Sequence, residues 1–250
     1  MKNRFAINTF RKYLALFLIF LFGETFGQTT ESPLVISPLT GDFYVYTTYN
    51  LYQGYRIPAN GLLVNTSSGV VMIDTPWDTT QFAPLLDSID AMFHKKVVLC
   101  LATHWHEDRT GGLEFYAQMG IPTYTSVLTD ELSKTNNKNR AEYHFLNDTT
   151  FKVGQYNLET YYPGPGHTRD NIVLWIPTEN ILYGGCLIKG AKARDLGNLA
   201  DADVKAYAQT LINVRDKYSD PHYIIVSHSD WKSTNSLKHS IKLAKKMKSR

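Results

Sequence analysis

The sequence contains no long low-complexity tract and no linker rich in proline, glycine or serine. Charged residues make up only 20% of the chain and apolar residues 43%, so a disordered or fibrous protein is excluded. The length of 250 residues suits a single domain with a substantial core. No apolar run reaches the roughly 20 residues that a membrane-spanning helix requires.

Only two cysteines are present, and their sequence contexts differ. In an oxidising compartment two thiols can pair, or they persist when they are buried or bound to metal. Cys100 lies inside the apolar run 97–101, so we predict an inert buried thiol. Cys186 follows Gly184 and Gly185 at the end of another apolar segment, which makes it a candidate metal ligand.

The N-terminal segment has the pattern of a secretory signal peptide. A basic region with Lys2, Arg4, Arg11 and Lys12 precedes the unbroken apolar run 13–22. We therefore expect residues 1–27 to be a signal peptide. Residues 28–250 should form one domain that is released into the periplasm without a membrane anchor. Removal of the segment takes away four basic residues and one acidic residue, so the formal net charge of +3 falls to zero.

The remaining basic residues concentrate near the C-terminus, where Leu237, Ile241 and Ala244 recur at helical spacing. This pattern predicts a terminal helix with one packed face and one solvated basic face. Because no nucleic-acid recognition motif accompanies the basic residues, we expect no nucleic-acid partner. The sequence carries no signal for an oligomer, so the expected state is a monomer.

Strand-like segments begin each half of the mature chain, and helical patterns end it. We predict strands at 42–49, 62–65, 70–74, 97–102, 151–153, 156–161, 172–176, 181–183 and 223–226. Helices are predicted at 79–93, 111–119, around 204–212 and at the C-terminus. This arrangement favours two sheets that pack face to face, with helices covering the outside.

Three potential metal ligands, His104, His106 and Asp108, directly follow the buried strand predicted at 97–102. They alternate along the chain, so an extended backbone would direct all three side chains to one side. Imidazole and carboxylate groups are both good zinc ligands. We expect Gly111 and Gly112 to let the chain turn sharply into the next helix.

Three further candidates, His167, Cys186 and His228, also lie just after predicted strands. A histidine of the hydrophobic core would more often lie within a strand, so this shared placement favours a metal site. The remaining histidines lack this setting; they are His94, His144, His222 and His239. Six ligands indicate two zinc ions, because a catalytic zinc typically takes three protein ligands. The spacing does not say how the six ligands divide.

These segments resemble the metallo-β-lactamases of the di-zinc, broad-spectrum subclass. The resemblance covers the mature chain and rests on the motifs His104–Gly112, Gly166-His167-Thr168, Gly185-Cys186, His228, Asp74–Trp77 and Gly197-Asn198. Glyoxalase-type and lactonase-type relatives of the same superfold usually carry His where this chain has Arg109 and a bridging Asp where it has Cys186. Both differences favour the lactamase.

The resemblance implies a four-layer αββα sandwich and zinc-dependent hydrolysis of β-lactam antibiotics (penicillins, cephalosporins and carbapenems), and hence antibiotic resistance. It implies one zinc on His104, His106 and His167, and a second on Asp108, Cys186 and His228, with Asp108 and the three histidines as catalytic groups. It further implies that Lys189 and Asn198 contact the substrate. Asp74 and Arg109 would brace the ligand loop, the segment that carries His104, His106 and Asp108. The segment 49–56 would be either a mobile flap or a plain hairpin.

Two alternatives stay open at this stage. One is another metallo-hydrolase of the same fold that acts on thioesters or lactones, which predicts thioester turnover and little β-lactam cleavage. The other is a zinc-binding protein without catalytic activity, which predicts bound zinc with no open coordination position.

Overall fold

A computed structural model describes residues 34–146 and 148–248. The predicted signal peptide and its cleavage site lie outside these residues. Among the described residues, no helix is both long enough and apolar enough to cross a membrane.

Seven strands form the first sheet and lie side by side in chain order. They are β1 (Leu34–Thr40), β2 (Phe43–Tyr52), β3 (Tyr55–Thr66), β4 (Gly69–Ile73), β5 (Val97–Leu101), β6 (Thr123–Ser126) and β7 (Tyr143–Phe145). Strands β1 to β4 are antiparallel neighbours, and β4 to β7 are parallel neighbours. The parallel pairs require helical crossovers, which are α1 (Phe82–Phe93), α2 (Glu107–Thr110), α3 (Leu113–Gln118) and α4 (Val127–Thr135).

Five strands form the second sheet, in the order β12-β11-β10-β9-β8. They are β8 (Thr150–Val153), β9 (Tyr156–Tyr161), β10 (Val173–Ile176), β11 (Ile181–Gly185) and β12 (Tyr223–Val226). Among the described strands of this sheet, only β11 and β12 are parallel neighbours, and α5 (Val204–Lys217) connects them. Helix α6 (Ser236–Lys248) ends the described chain.

Three hydrophobic clusters show how the layers stack. The first contains residues of both sheets, such as Leu62 and Leu174, and therefore lies between them. The second joins the first sheet to α1 and α3, and the third joins the second sheet to α5 and α6. The αββα sandwich expected from the sequence is confirmed. The terminal helix also packs as predicted, because Leu237, Ile241 and Ala244 are all buried.

The sequence did not reveal β1, β6, α4 or β7. Strand β6 reads Thr-Tyr-Thr-Ser and has no apolar run, although its threonines are buried. Strand β7 is only three residues long and lies at the sheet edge, where two of its side chains are exposed. Hydrophobic periodicity is therefore too weak at these strands to indicate them.

The glycine pair after the ligand loop serves a different purpose from the one predicted. Gly111 and Gly112 have φ values of −54° and −92°, which any residue adopts. The prediction of a sharp turn that depends on glycine is therefore wrong. A Cβ on Gly112 would instead lie 2.7 Å from the ring of Tyr116 and 3.0 Å from Thr75 Cβ. Lack of space, and not backbone freedom, requires glycine at position 112.

Candidate metal centre

The six predicted ligands converge at one edge of the sandwich. His104 follows β5, Cys186 follows β11 directly, and His228 follows β12. His167 lies in the loop between β9 and β10. Asp108 lies in the short helix α2, so the prediction that an extended backbone aligns it with the histidines is wrong. A single helical turn brings its carboxylate to the cluster instead.

Asp108, Cys186 and His228 form the tightest part of the cluster. His228 Nε2 lies 2.9 Å from Asp108 Oδ2, and Cys186 Sγ lies 3.3 Å from the same oxygen and 3.4 Å from His228 Nε2. His228 Nδ1 lies 2.9 Å from the carbonyl oxygen of Pro58. A carbonyl oxygen only accepts, so Nδ1 donates to it and Nε2 faces the cluster.

Three imidazoles form the other part. The ring centroids of His104, His106 and His167 lie 5.0 to 5.1 Å from one another. His104 Nε2 and His167 Nδ1 are buried without a hydrogen-bond partner among the described residues. Buried polar atoms seldom lack partners, because leaving one unpaired is costly. A metal ion bound by these nitrogens supplies the missing partner, so the residues fit the predicted group.

The electrostatics keep both buried imidazoles in the form that binds metal. Burial and His106 hold the pKa of His104 well below its usual value. Burial and Lys189 do the same for the pKa of His167. Both rings are therefore neutral at physiological pH and have a nitrogen lone pair available.

Charges within the second group support one another. Burial opposes ionisation of Asp108, but Arg109 and His228 outweigh this effect and hold the pKa of the carboxyl well below its usual range. Burial favours the neutral form of His228, yet Cys186 and Asp108 raise its pKa to about 10. In the metal-free protein the carboxylate of Asp108 and the protonated ring of His228 therefore form an ion pair at 2.9 Å.

Arg109 lies beneath Asp108 and is almost fully buried, with 1% of its surface exposed. Its Nε donates to Asp108 Oδ2 at 3.0 Å, and its Nη1 lies 3.2 Å from Asp74 Oδ2. Nη1 also donates to the carbonyl of Asn60 at 2.9 Å. A buried guanidinium needs this compensation, and the contacts agree with the bracing role that the sequence suggested for Asp74 and Arg109.

Asp74 connects this arginine to the ligand loop. It has a positive φ of 64°, an uncommon conformation that Asp tolerates better than most residues. Its Oδ1 accepts from the backbone N–H of Thr103 at 2.8 Å, next to His104. Its Oδ2 accepts from the hydroxyl of Tyr183 at 2.6 Å. The sequence indicated Tyr183 only as a strand residue, and nothing local in the sequence points to this contact.

A second supporting carboxylate also escaped sequence reasoning. Asp201 Oδ2 lies 3.0 Å from His106 Nε2, across 95 positions of the chain. A carboxylate that accepts from one imidazole nitrogen leaves the other nitrogen available to a metal. Asp201 lies three residues after the substrate-contact candidate Asn198, but that spacing alone does not single it out.

The ligands open into a cavity of about 730 Å³, which all of them except His104 line. Lys189 and Asn198 line the same cavity, so the structure places both substrate-contact candidates beside the cluster. Burial lowers the pKa of Lys189, although negative charge from Cys186 opposes the shift.

Cys100 is fully buried, and burial raises its pKa well above the usual value, as expected for an inert thiol. Neither cysteine is in a disulfide.

The segment 49–56 forms the tip of the β2–β3 hairpin. Gln53 and Gly54 have positive φ values of 52° and 81°, which suit a tight two-residue turn. Leu51 and Tyr55 are exposed at 74% and 73%, and Tyr52 lines the cavity. The hairpin is confirmed, whereas its closure over a substrate stays a prediction.

The fold and the site together define a class: a two-sheet αββα protein with nitrogen, oxygen and sulfur ligands for two metal ions at one edge. The sequence profile of the Metallo-beta-lactamase superfamily matches residues 54–243. The chain therefore belongs to the metallo-β-lactamase superfamily.

Individual relatives agree with this assignment. A metallo-β-lactamase type 2 from Elizabethkingia meningoseptica is 41% identical over 220 residues, which cover 88% of each chain. A metallo-β-lactamase structure from Pontibacter korlensis has a TM-score of 0.82 and 37% identity, covering 85% of this chain and 99% of that one. The metallo-β-lactamase FIM-1 from Pseudomonas aeruginosa, solved in a mono-zinc form, has a TM-score of 0.81 and 30% identity, covering 86% and 96%.

Proposed function

We propose that this protein is a zinc-dependent β-lactam hydrolase that opens the amide bond of penicillins, cephalosporins and carbapenems. The observation that carries the proposal is the cavity in which Asp108, Cys186 and His228 converge beside the imidazole group and Lys189. Family membership and relatives named as metallo-β-lactamases support it.

Two zinc ions account for the ligand set. One is held by His104, His106 and His167, and the other by Asp108, Cys186 and His228. The thiolate of Cys186 favours a borderline-soft ion such as zinc over magnesium or calcium. Zinc bound there would act as a Lewis acid. It would also lower the pKa of its bound water to about 7.

The chain's own residues bind and orient the reactants. The ammonium of Lys189 binds the carboxylate that nearly all β-lactams carry, and its partial burial strengthens this contact. Asn198 donates its amide N–H to the substrate carbonyl. Asp108 accepts a hydrogen bond from the attacking water and orients it. Because the attacking group is a water, no side chain is needed as a nucleophile, and no covalent enzyme intermediate forms.

The proposal also covers the export of the protein, its domain organisation and its oligomeric state. Residues 1–27 direct export, residues 28–250 act as one domain in the periplasm, and the enzyme works as a monomer without a membrane anchor. The basic segment and apolar run of the N-terminus support export. Mass analysis of the secreted chain and its solution mass would test these points.

The decisive experiment uses the purified mature chain. Its zinc content is counted, and cleavage of a penicillin and a carbapenem is measured before chelation, after chelation and after zinc is restored. A thioester and a lactone serve as comparison substrates. We expect two zinc ions and zinc-reversible β-lactam cleavage that exceeds turnover of the comparison substrates. Bound zinc without chelator-sensitive β-lactam cleavage would contradict the proposal.

A further inference from the structure

The buried side chain of Gln81 holds the base of the hairpin that overhangs the cavity. Gln81 ends a short 3-10 helix (Thr79–Gln81) and is 3% exposed. Its Oε1 accepts from the backbone N–H of Tyr49 at 2.9 Å, and its Nε2 donates to the carbonyl of Tyr49 at 2.5 Å. The two residues are 32 positions apart, so this is a tertiary contact and not a local turn.

The contact lies next to the last described pairing between β1 and β2. Among the described residues, which begin at Leu34, β1 pairs with β2 up to Leu34 opposite Thr48. A primary amide carries a donor and an acceptor, as a peptide group does. The Gln81 amide therefore pairs with the N–H and C=O of Tyr49 as a neighbouring peptide group would. Burying such an amide is favourable only when its polar atoms are paired.

The pairing of β2 with β3 links the position of Tyr49 to the residue that lies opposite it. Tyr49 lies opposite Pro58 in β3. Because Tyr49 turns its N–H and C=O toward Gln81, the pair is of the non-hydrogen-bonded kind, and the carbonyl of Pro58 also points away from its partner strand. That carbonyl accepts the hydrogen bond from His228 Nδ1 at 2.9 Å. Proline has no N–H, so no donor is left unpaired beside it.

The next outward-facing position of β3 adds a second connection. The backbone N–H of Asn60 donates to the carbonyl of Ser227 at 2.8 Å. The side-chain amide of Asn60 donates to the carbonyls of Val226 at 2.7 Å and Ser229 at 2.9 Å. The base of the hairpin therefore holds the backbone on both sides of His228 by hydrogen bonds.

We propose that Gln81 is a positioning residue for the Asp108–Cys186–His228 group. By fixing Tyr49, it fixes Pro58 opposite, and the Pro58 carbonyl then holds His228 Nε2 toward the other two ligands. The inference rests on the proposed function, since it takes His228 as a zinc ligand. It implies that metal affinity at this group and the order of the hairpin base are linked, and such linkage is reciprocal.

The main test is the variant Gln81→Met, which retains length and apolar volume but removes both hydrogen bonds. The matched control is Gln155→Met, because Gln155 Oε1 accepts from the N–H of Ser67 at 2.8 Å in the turn at the other end of β3. Amide hydrogen exchange of Tyr49 is measured in the metal-free proteins. We expect exchange in Gln81→Met to be roughly fivefold faster or more, since the N–H of Tyr49 loses its acceptor.

Metal affinity is measured with cobalt(II), whose thiolate charge-transfer absorbance reports ligation by Cys186. Gln81→Met should bind this ion about tenfold more weakly, as is typical when an orienting contact is lost. Binding at the three-histidine group should be unchanged, and the control should match the parent chain. The variant Gln81→Glu retains an acceptor for the Tyr49 N–H but places a carboxylate oxygen beside the Tyr49 carbonyl, so it should also weaken binding; it decides the question if Gln81→Met does not fold.

The outcomes separate this inference from the proposed function. Parent protein without the thiolate absorbance would contradict the proposed zinc site itself. Parent protein with that absorbance, together with unchanged cobalt affinity in both Gln81 variants, would overturn the positioning role alone. An equal loss in the Gln155 control would also overturn it, because the effect would then be general destabilisation.

Discussion

The hydroxyl of Tyr183 should make a measurable contribution to the stability of the metal-free protein. The side chain is fully buried, and its hydroxyl lies 2.6 Å from Asp74 Oδ2. Tyr183→Phe removes this hydrogen bond, together with the hydroxyl's contacts with the Asn60 carbonyl at 3.0 Å and Arg109 Nη1 at 3.4 Å, and leaves the ring in place. Hydrogen bonds to charged groups contribute about 1.5–3 kcal/mol. We therefore expect the free energy of unfolding to fall by roughly 2 kcal/mol and the Tm by about 4–8 °C.

The measurement uses urea and thermal unfolding after metal removal, because a bound ion adds its own stabilisation. The control is Tyr46→Phe, since the hydroxyl of Tyr46 donates to the backbone carbonyl of Asp74 at 2.7 Å. That bond has a neutral acceptor and should contribute about 1 kcal/mol. Losses of equal size in the two variants, or a larger loss in Tyr46→Phe, would refute the idea that Tyr183 stabilises a charged carboxylate.

Four further substitutions test the site. Lys189→Ala should raise KM for β-lactams about tenfold or more with a smaller change in kcat, since one charge-assisted hydrogen bond is lost. Cys186→Ser should weaken only the second zinc ion in a zinc titration. Asp201→Asn removes the carboxylate 3.0 Å from His106 Nε2 and should weaken zinc binding about tenfold in a chelator competition. Gly112→Ala should lower the free energy of unfolding by about 1–3 kcal/mol, because the new Cβ has no space.

Exposed or remote residues of the same type provide the controls. Lys238→Ala and Asp220→Asn change charged side chains that lie away from the cavity, and both should behave as the parent chain. Cys100→Ser alters the other thiol and should retain both zinc ions. An unchanged Tm for Gly112→Ala would show that the neighbouring tyrosine ring yields to the added methyl group.

The sequence predicts the strands that carry the ligands because their apolar runs are strong. Val97–Leu101 and Tyr223–Val226 are mostly buried, and their ends mark where His104 and His228 begin the site. The helical turn at Asp108 was not predictable, since four residues are too few to show a helical period. The division of the six ligands into two groups also came from resemblance, because chain spacing carries no information on three-dimensional proximity.

The supporting residues were beyond sequence reasoning for a related reason. Tyr183 and Asp74 are 109 positions apart, and Gln81 and Tyr49 are 32 apart. Each is an ordinary residue in its own segment, and only the packing of the sheets brings the partners together. Contacts of this kind depend on register, which local pattern does not fix.

The distribution of ligands between the two halves of the chain has a consequence for assembly. His104 and His106 follow the first sheet and His167 belongs to the second, while Asp108 faces Cys186 and His228 from the opposite half. Each proposed ion would therefore join both halves and act as a cross-link over the seam between the sheets. Fragments cut between β7 and β8 should bind zinc poorly when separate and reassociate more tightly when zinc is present.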